Sequence, residues 1–141
     1  MAYTANSQAN SVTILTEDNY VNIAEAAVKS LDKDKWGNVL LTTSKIRNLL
    51  SNLSEIYNYA VYETSPTELN SKLQYLKVQF VYEYGRERSV EDFIKKAGIL
   101  DHLDRVNKEN DLEKKKTSFI LFEKYMEALV AYHKFYGGKD K

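Results

Sequence analysis

Between Tyr20 and His133 the apolar residues recur three and four positions apart, and the 141-residue chain interrupts that rhythm with a single proline and five glycines. Side chains spaced in this way share one face of an α-helix, and a chain with so few breakers has little else to form. The expected fold is therefore all-α, a compact bundle of five to six helices.

The individual helices can be placed from their stripes and caps. The first is predicted from a cap at Thr16 to about Asp32, with Tyr20, Ile23, Ala24, Ala27, Val28 and Leu31 inward, and Trp36-Gly37-Asn38 then breaks the pattern. The second follows Thr43 and Ser44, turns Ile46, Leu49, Leu50, Leu53, Ile56, Tyr57 and Ala60 to the core, and ends near Thr64. Ser65-Pro66-Thr67-Glu68 is the clearest start, combining an N-cap serine, proline at the first helical position and glutamate three residues after the cap. That third helix carries Leu69, Leu73, Leu76, Phe80 and Tyr84, and Gly85 is expected to close it in a left-handed conformation. Ser89 opens a short helix closed by Gly98, and Ile99 to Val106 forms another. After a polar connection from Asn107 to Asp111, one long helix from Leu112 to Tyr136 presents Phe119, Phe122, Met126, Leu129, Val130 and His133 on one side until Gly137-Gly138 stops it. Residues 1–15 are expected to be a flexible segment and 16–141 a single domain, the length being right for one core.

Composition narrows the function. No cysteine is present, which removes disulfides, thiolate catalysis and cysteine-held zinc, and fits a reducing compartment. No apolar run reaches the roughly 20 residues that span a bilayer, and the polar stretch Met1 to Ser11 does not read as a secretory signal. A cytoplasmic protein with no membrane partner is the expectation. The formal net charge is zero, which argues against a uniformly basic binder. Charge is uneven all the same: residues 1–70 hold five Lys/Arg against eight Asp/Glu, and residues 71–141 hold fifteen against twelve. Either a local basic face or ordinary salt-laced helix surfaces produce such counts.

Catalytic constellations are missing. His102 and His133 lie on different helices and outside any His-Glu-x-x-His pattern. Carboxylate pairs such as Asp101 and Asp104, or Glu123 and Glu127, have the spacing of an exposed helix face. No glycine-rich nucleotide loop occurs, and no metal or cofactor is expected. The run Glu113-Lys114-Lys115-Lys116 reads as a solvated face or a disordered bend. Of the eleven tyrosines, Tyr59, Tyr62, Tyr75 and Tyr82 fall beside the stripes, which suits either subunit interfaces or the rim of a core. A binding or scaffolding protein fits this inventory better than an enzyme.

One feature runs against helix chemistry. Thr42-Thr43-Ser44 is followed at once by Lys45 and Arg47, cations in a first turn whose unpaired N–H groups and dipole favour negative charge. An anionic ligand, or acids on a neighbouring helix, would reverse that preference. Arg86 and Arg88 follow a helix end, where cations suit the dipole, and Lys77 lies on the third helix.

These residues also carry a family likeness. Leu41-Thr42-Thr43-Ser44-Lys45-Ile46-Arg47, then Leu73-Gln74-Tyr75-Leu76-Lys77-Val78 with Tyr82-Glu83-Tyr84-Gly85-Arg86, and finally Phe122 through His133-Lys134-Phe135-Tyr136-Gly137-Gly138-Lys139, resemble in order the small subunit of the type III-A CRISPR effector, the Csm complex. The closing segment is its most specific part. The resemblance implies a small helical bundle without nuclease activity that stacks in several copies inside a filament. Its implied partners are guide RNA, target RNA, neighbouring copies, and the backbone and large subunits. On this reading Lys45 and Arg47, with N–H groups of the same helix start, face RNA phosphates, and Lys77, Arg86, His133, Lys134 and Lys139 form a second tier. Contacts to the backbone rather than to bases suit a subunit that serves every guide. Two other classes stay open: a helical adaptor that bridges proteins without touching nucleic acid, and an enzyme using helix-borne carboxylates.

Overall fold

The computed structural model describes residues 13–62 and 65–139. Among the described residues six helices follow one another: α1 (Tyr20–Lys29), α2 (Thr43–Tyr62), α3 (Pro66–Arg86), α4 (Arg88–Ala97), α5 (Ile99–Lys108) and α6 (Leu112–Phe135). Among the described residues, pairing of extended backbone is limited to one isolated antiparallel bridge, Lys33 to Val39. The fold is all-α, as the periodicity requires. Residues 1–12, most of the segment expected to be flexible, and Glu63-Thr64, where α2 was expected to end, lie outside the described residues.

The longest helix is the hub. α1, α2 and α5 all pack on α6, while α3 lies against α2, α4 and α5, and α4 closes the bundle against α1. The stripes read from the sequence form the core: Ala24, Leu53, Leu73, Phe119 and Leu129 are all but inaccessible. Val130 is only half-buried. Tyr125, outside the predicted stripe, is fully buried, because its hydroxyl donates to the Ala97 carbonyl at the end of α4 at 2.7 Å. A buried phenol with a partner loses little by leaving water. The same burial raises its pKa.

Caps fix the helix ends where the sequence put them in three places. Ser65 accepts from the Glu68 N–H at 3.3 Å, the Asp111 carboxylate accepts from the Lys114 N–H at 3.0 Å, and Gly98 takes φ 63° between α4 and α5.

Elsewhere the structure corrects the expectation. Thr16 and Asn19 bond each other reciprocally in a separate turn, so α1 begins only at Tyr20. Its last turn is closed early by Ser30, whose N–H and hydroxyl both bond back to the Ala27 carbonyl. Gly85 stays within α3 and does not adopt positive φ. The break falls instead at Glu87, one extended residue (φ −148°, ψ 131°) that ends α3 and caps α4, which starts a residue before Ser89. Lys115, in the run read as a solvated face or bend, is buried in the first turns of α6 with its ammonium on the Asn70 side-chain oxygen. Its long stem covers apolar surface while its charge finds an acceptor.

Candidate nucleic-acid interface

The first turn of α2 is built from both ends of the chain. A helix start leaves N–H groups without intrahelical partners. Here the Thr42 hydroxyl accepts from the Lys45 N–H at 3.3 Å, and the Thr43 N–H donates to the Lys139 carbonyl at 2.8 Å. The tail that brings Lys139 there is itself locked. Gly137 takes φ 89°, and the Gly138 N–H donates to the His133 carbonyl at 2.8 Å. A Cβ on Gly138 would lie 2.0 Å from Cε1 of the His133 ring, so the second glycine is required by space and the first by backbone conformation.

His133 is the pin of this arrangement. It has no accessible surface, its Nε2 donates to the Leu41 carbonyl at 2.6 Å, and its Nδ1 faces the Thr43 hydroxyl at 3.4 Å. A carbonyl only accepts, so Nε2 carries a proton. A side chain sealed in this way has no surface to offer RNA, and His133 leaves the set of contact candidates to become a positioning residue. Of the backbone N–H groups expected to meet phosphate, those of Thr43 and Lys45 already donate within the chain. What the turn offers is side chains.

Replacing Gly138 by alanine is expected to cost about 1–3 kcal/mol, the range for forcing atoms into a filled site. It should also free the tail, read as faster amide exchange at Thr43. Unchanged stability together with unchanged exchange at Thr43 would show that the tail is not docked.

The cations fall into two groups. Arg47 is exposed on the first turn of α2 and pairs with no carboxylate among the described residues. Lys45 beside it reaches the Glu87 carboxylate at the α3–α4 break, which brings Arg86 and Arg88 to the same corner. Arg86 binds Glu83 at 3.3 Å and lies over the Tyr82 ring. Lys139, exposed, reaches the start of α2 from the tail through its carbonyl on the Thr43 N–H, and Lys134 is exposed one residue after His133 near the end of α6. Lys77 is separate, held toward α5 by Asp104 at 2.7 Å. Arg88 was set aside in the sequence as an ordinary helix-terminal cation; it is exposed one residue after the extended Glu87 that Lys45 reaches.

The remaining titratable groups offer little chemistry. Half-burial, with Glu127 beside it, pushes Glu123 up to about 7. Among the described residues no three His, Cys, Asp or Glu side chains converge as a metal site, and no helix is long and apolar enough to cross a membrane.

Comparison with known proteins agrees with this picture. The family described as Csm2 Type III-A matches residues 17–139. The CRISPR system Cms protein Csm2 of Streptococcus thermophilus is 50% identical over 129 residues, covering 92% of this chain and 100% of that protein. The protein of the same description from Mycobacterium tuberculosis strain H37Rv is 38% identical over 128 residues (89% and 97%). That from Enterococcus italicus is 46% identical over 100 residues, 68% of each chain. With the family pattern running from the turn before α1 to the tail that caps α2, the chain belongs to the Csm2 family of type III-A CRISPR systems.

Proposed function

We propose that the chain is a non-catalytic small subunit of an RNA-guided type III-A interference complex, stacking in several copies and binding guide and target RNA through the backbone without sequence preference. The observation that carries this reading is the start of α2, where Arg47 stands exposed, Lys45 reaches Glu87 between Arg86 and Arg88, and the Lys139 carbonyl caps Thr43, bringing together cations from three separate parts of the chain. Side chains of this kind meet phosphates, which position RNA without reading it. Glu83 and Glu87 lie among them and weaken the field of a single copy. Exposed ion pairs are worth at most about 1 kcal/mol, so Glu87 does not hold Lys45 away from a phosphate. Repetition along a filament supplies the rest through effective concentration.

The test is the salt dependence of target binding by the assembled complex. Changing Lys45 and Arg47 to alanine should weaken unrelated RNAs by a similar factor and flatten the salt slope by about one unit per lost contact. The stability of the chain should fall by less than about 1 kcal/mol. Unchanged affinity and slope would remove both residues from the site.

A second reading, an adaptor that bridges proteins without touching nucleic acid, draws on another face. Tyr75, Val78 and Tyr82 are more than half exposed on α3 and line a groove of about 330 Å³ with Asn48 and Asn52 of α2. Aromatic residues on such a surface suit a protein contact, either a neighbouring copy or the backbone or large subunit. A salt slope untouched by the double substitution, with loss of assembly on changing Tyr75 and Tyr82, would favour it.

A further inference from the structure

Residues 33–39, between α1 and α2, form a turn with its tip fixed. One Asp34 carboxylate oxygen accepts from the N–H groups of Trp36 and Asn38, each at 2.9 Å. The Asp34 N–H donates to the Asn38 carbonyl at 2.8 Å, and the Gly37 N–H to the Asp34 carbonyl at 3.0 Å. Gly37 supplies the φ of 84° that the reversal needs, and the Lys33–Val39 bridge closes the base over a buried Val39. These bonds come from Asp34, Gly37, Asn38 and the backbone, and none from the indole. The turn does not need an aromatic residue to form.

Trp36 is nevertheless there, the only tryptophan in the chain, with 74% of its surface in water. Leaving so much apolar area exposed forgoes the stabilisation that burial would bring. The Lys35 ammonium sits 4.7 Å from the ring centroid. The neighbours in the turn are polar or charged: Lys33, Lys35, Asn38 and Asp34, whose carboxylate is taken up by the Trp36 and Asn38 N–H groups. The turn leads through Val39 to Thr42 directly into α2, whose first N–H donates to the Lys139 carbonyl, so it neighbours the cation corner. An exposed π-face with an ammonium group beside it is the pairing that single-stranded nucleic acid uses, bases on aromatic rings and phosphates on cations. A protein partner is the other occupant such a ring could meet, and the count of assembled subunits separates the two.

We propose that Trp36 is a stacking platform for one unpaired nucleobase of the RNA whose phosphates run past Lys139 and Arg47. The proposal rests on the RNA-binding reading above and adds to it a contact that is neither electrostatic nor specific in sequence, since every base has a π-face.

The experiment compares assembled complexes carrying wild-type chain, Trp36→Ala, Trp36→Phe, or Lys45→Ala with Arg47→Ala. Subunit stoichiometry is read by native mass spectrometry, and target RNA affinity is read across a salt series. Trp36→Ala should keep the stoichiometry and the salt slope and weaken RNA binding about 5- to 150-fold, the range for losing one stacked base. Trp36→Phe should recover most of that loss, because a ring remains. Full affinity in Trp36→Ala, or a loss that phenylalanine does not recover, would overturn the stacking role. Missing copies of the small subunit would overturn it in favour of a protein contact. A flattened slope in the Lys45/Arg47 variant alongside full affinity in Trp36→Ala would sink the platform and leave the phosphate reading standing; no effect in either variant would remove both.

Discussion

Replacing Leu129 by alanine is expected to cost about 2–5 kcal/mol of folding free energy. Leu129 has no accessible surface and sits on the inner face of α6, the helix against which α1, α2 and α5 all pack. Truncation removes the transfer free energy of the lost carbons and leaves a cavity that three helices, fixed by their own contacts, cannot close. Urea unfolding of the variant beside Lys114→Ala, an exposed change on the same helix expected to stay within about 0.5 kcal/mol, makes the comparison. A cost for Leu129→Ala no larger than that of the surface control would mean that α6 is not the hub.

Acidification is expected to destabilise the fold through His102. The ring is buried against Tyr125, edge to face at 5.0 Å, its Nε2 finds no partner among the described residues, and the Arg105 guanidinium lies 3.5 Å from Nδ1. Burial first, and then the Arg105 charge, lower its pKa from 6.5 to about 4. The unfolded chain therefore binds more protons than the folded one between these two values, and stability rises with pH across that window. The contribution is complete above about 6.5 and is lost as pH falls to about 4, a difference of about 3 kcal/mol at 1.36 kcal/mol per unit. Glu123 works in the opposite direction, since its carboxyl is raised to about 7 and its charged form is the one the fold disfavours. Comparison with His102→Leu cancels that contribution. Between pH 7 and pH 4 the wild type should lose about 3 kcal/mol more than the variant. Parallel stability curves would show that His102 accepts its proton without cost.

How far each feature could be read in advance depended on its range along the chain. Ser65-Pro66-Thr67-Glu68 and Gly98 act within one turn, and α3, α4 and α5 meet them where expected. The stripes of α2 and α6 are equally local, because spacing of three and four puts side chains on one face whatever that face later touches. Gly85 shows the limit: its permissive backbone allowed a left-handed end, but an extended Glu87 made the turn and left it helical.

The candidate site divides along the same line. By itself the sequence determined an all-α chain with a stripe on each helix, no constellation for catalysis and two cations at an unfavourable helix start, since periodicity, capping and composition are properties of neighbouring residues. Only the tertiary structure decided what those residues do. It sealed His133 against Leu41, placed the Lys139 carbonyl on the Thr43 N–H, carried Glu87 to Lys45, and left the Trp36 ring in water. Each of the three contacts joins residues 40 or more positions apart, and it is the packing of α2 on α6 and of α3 on α2, not any local preference, that brings such residues within bonding distance.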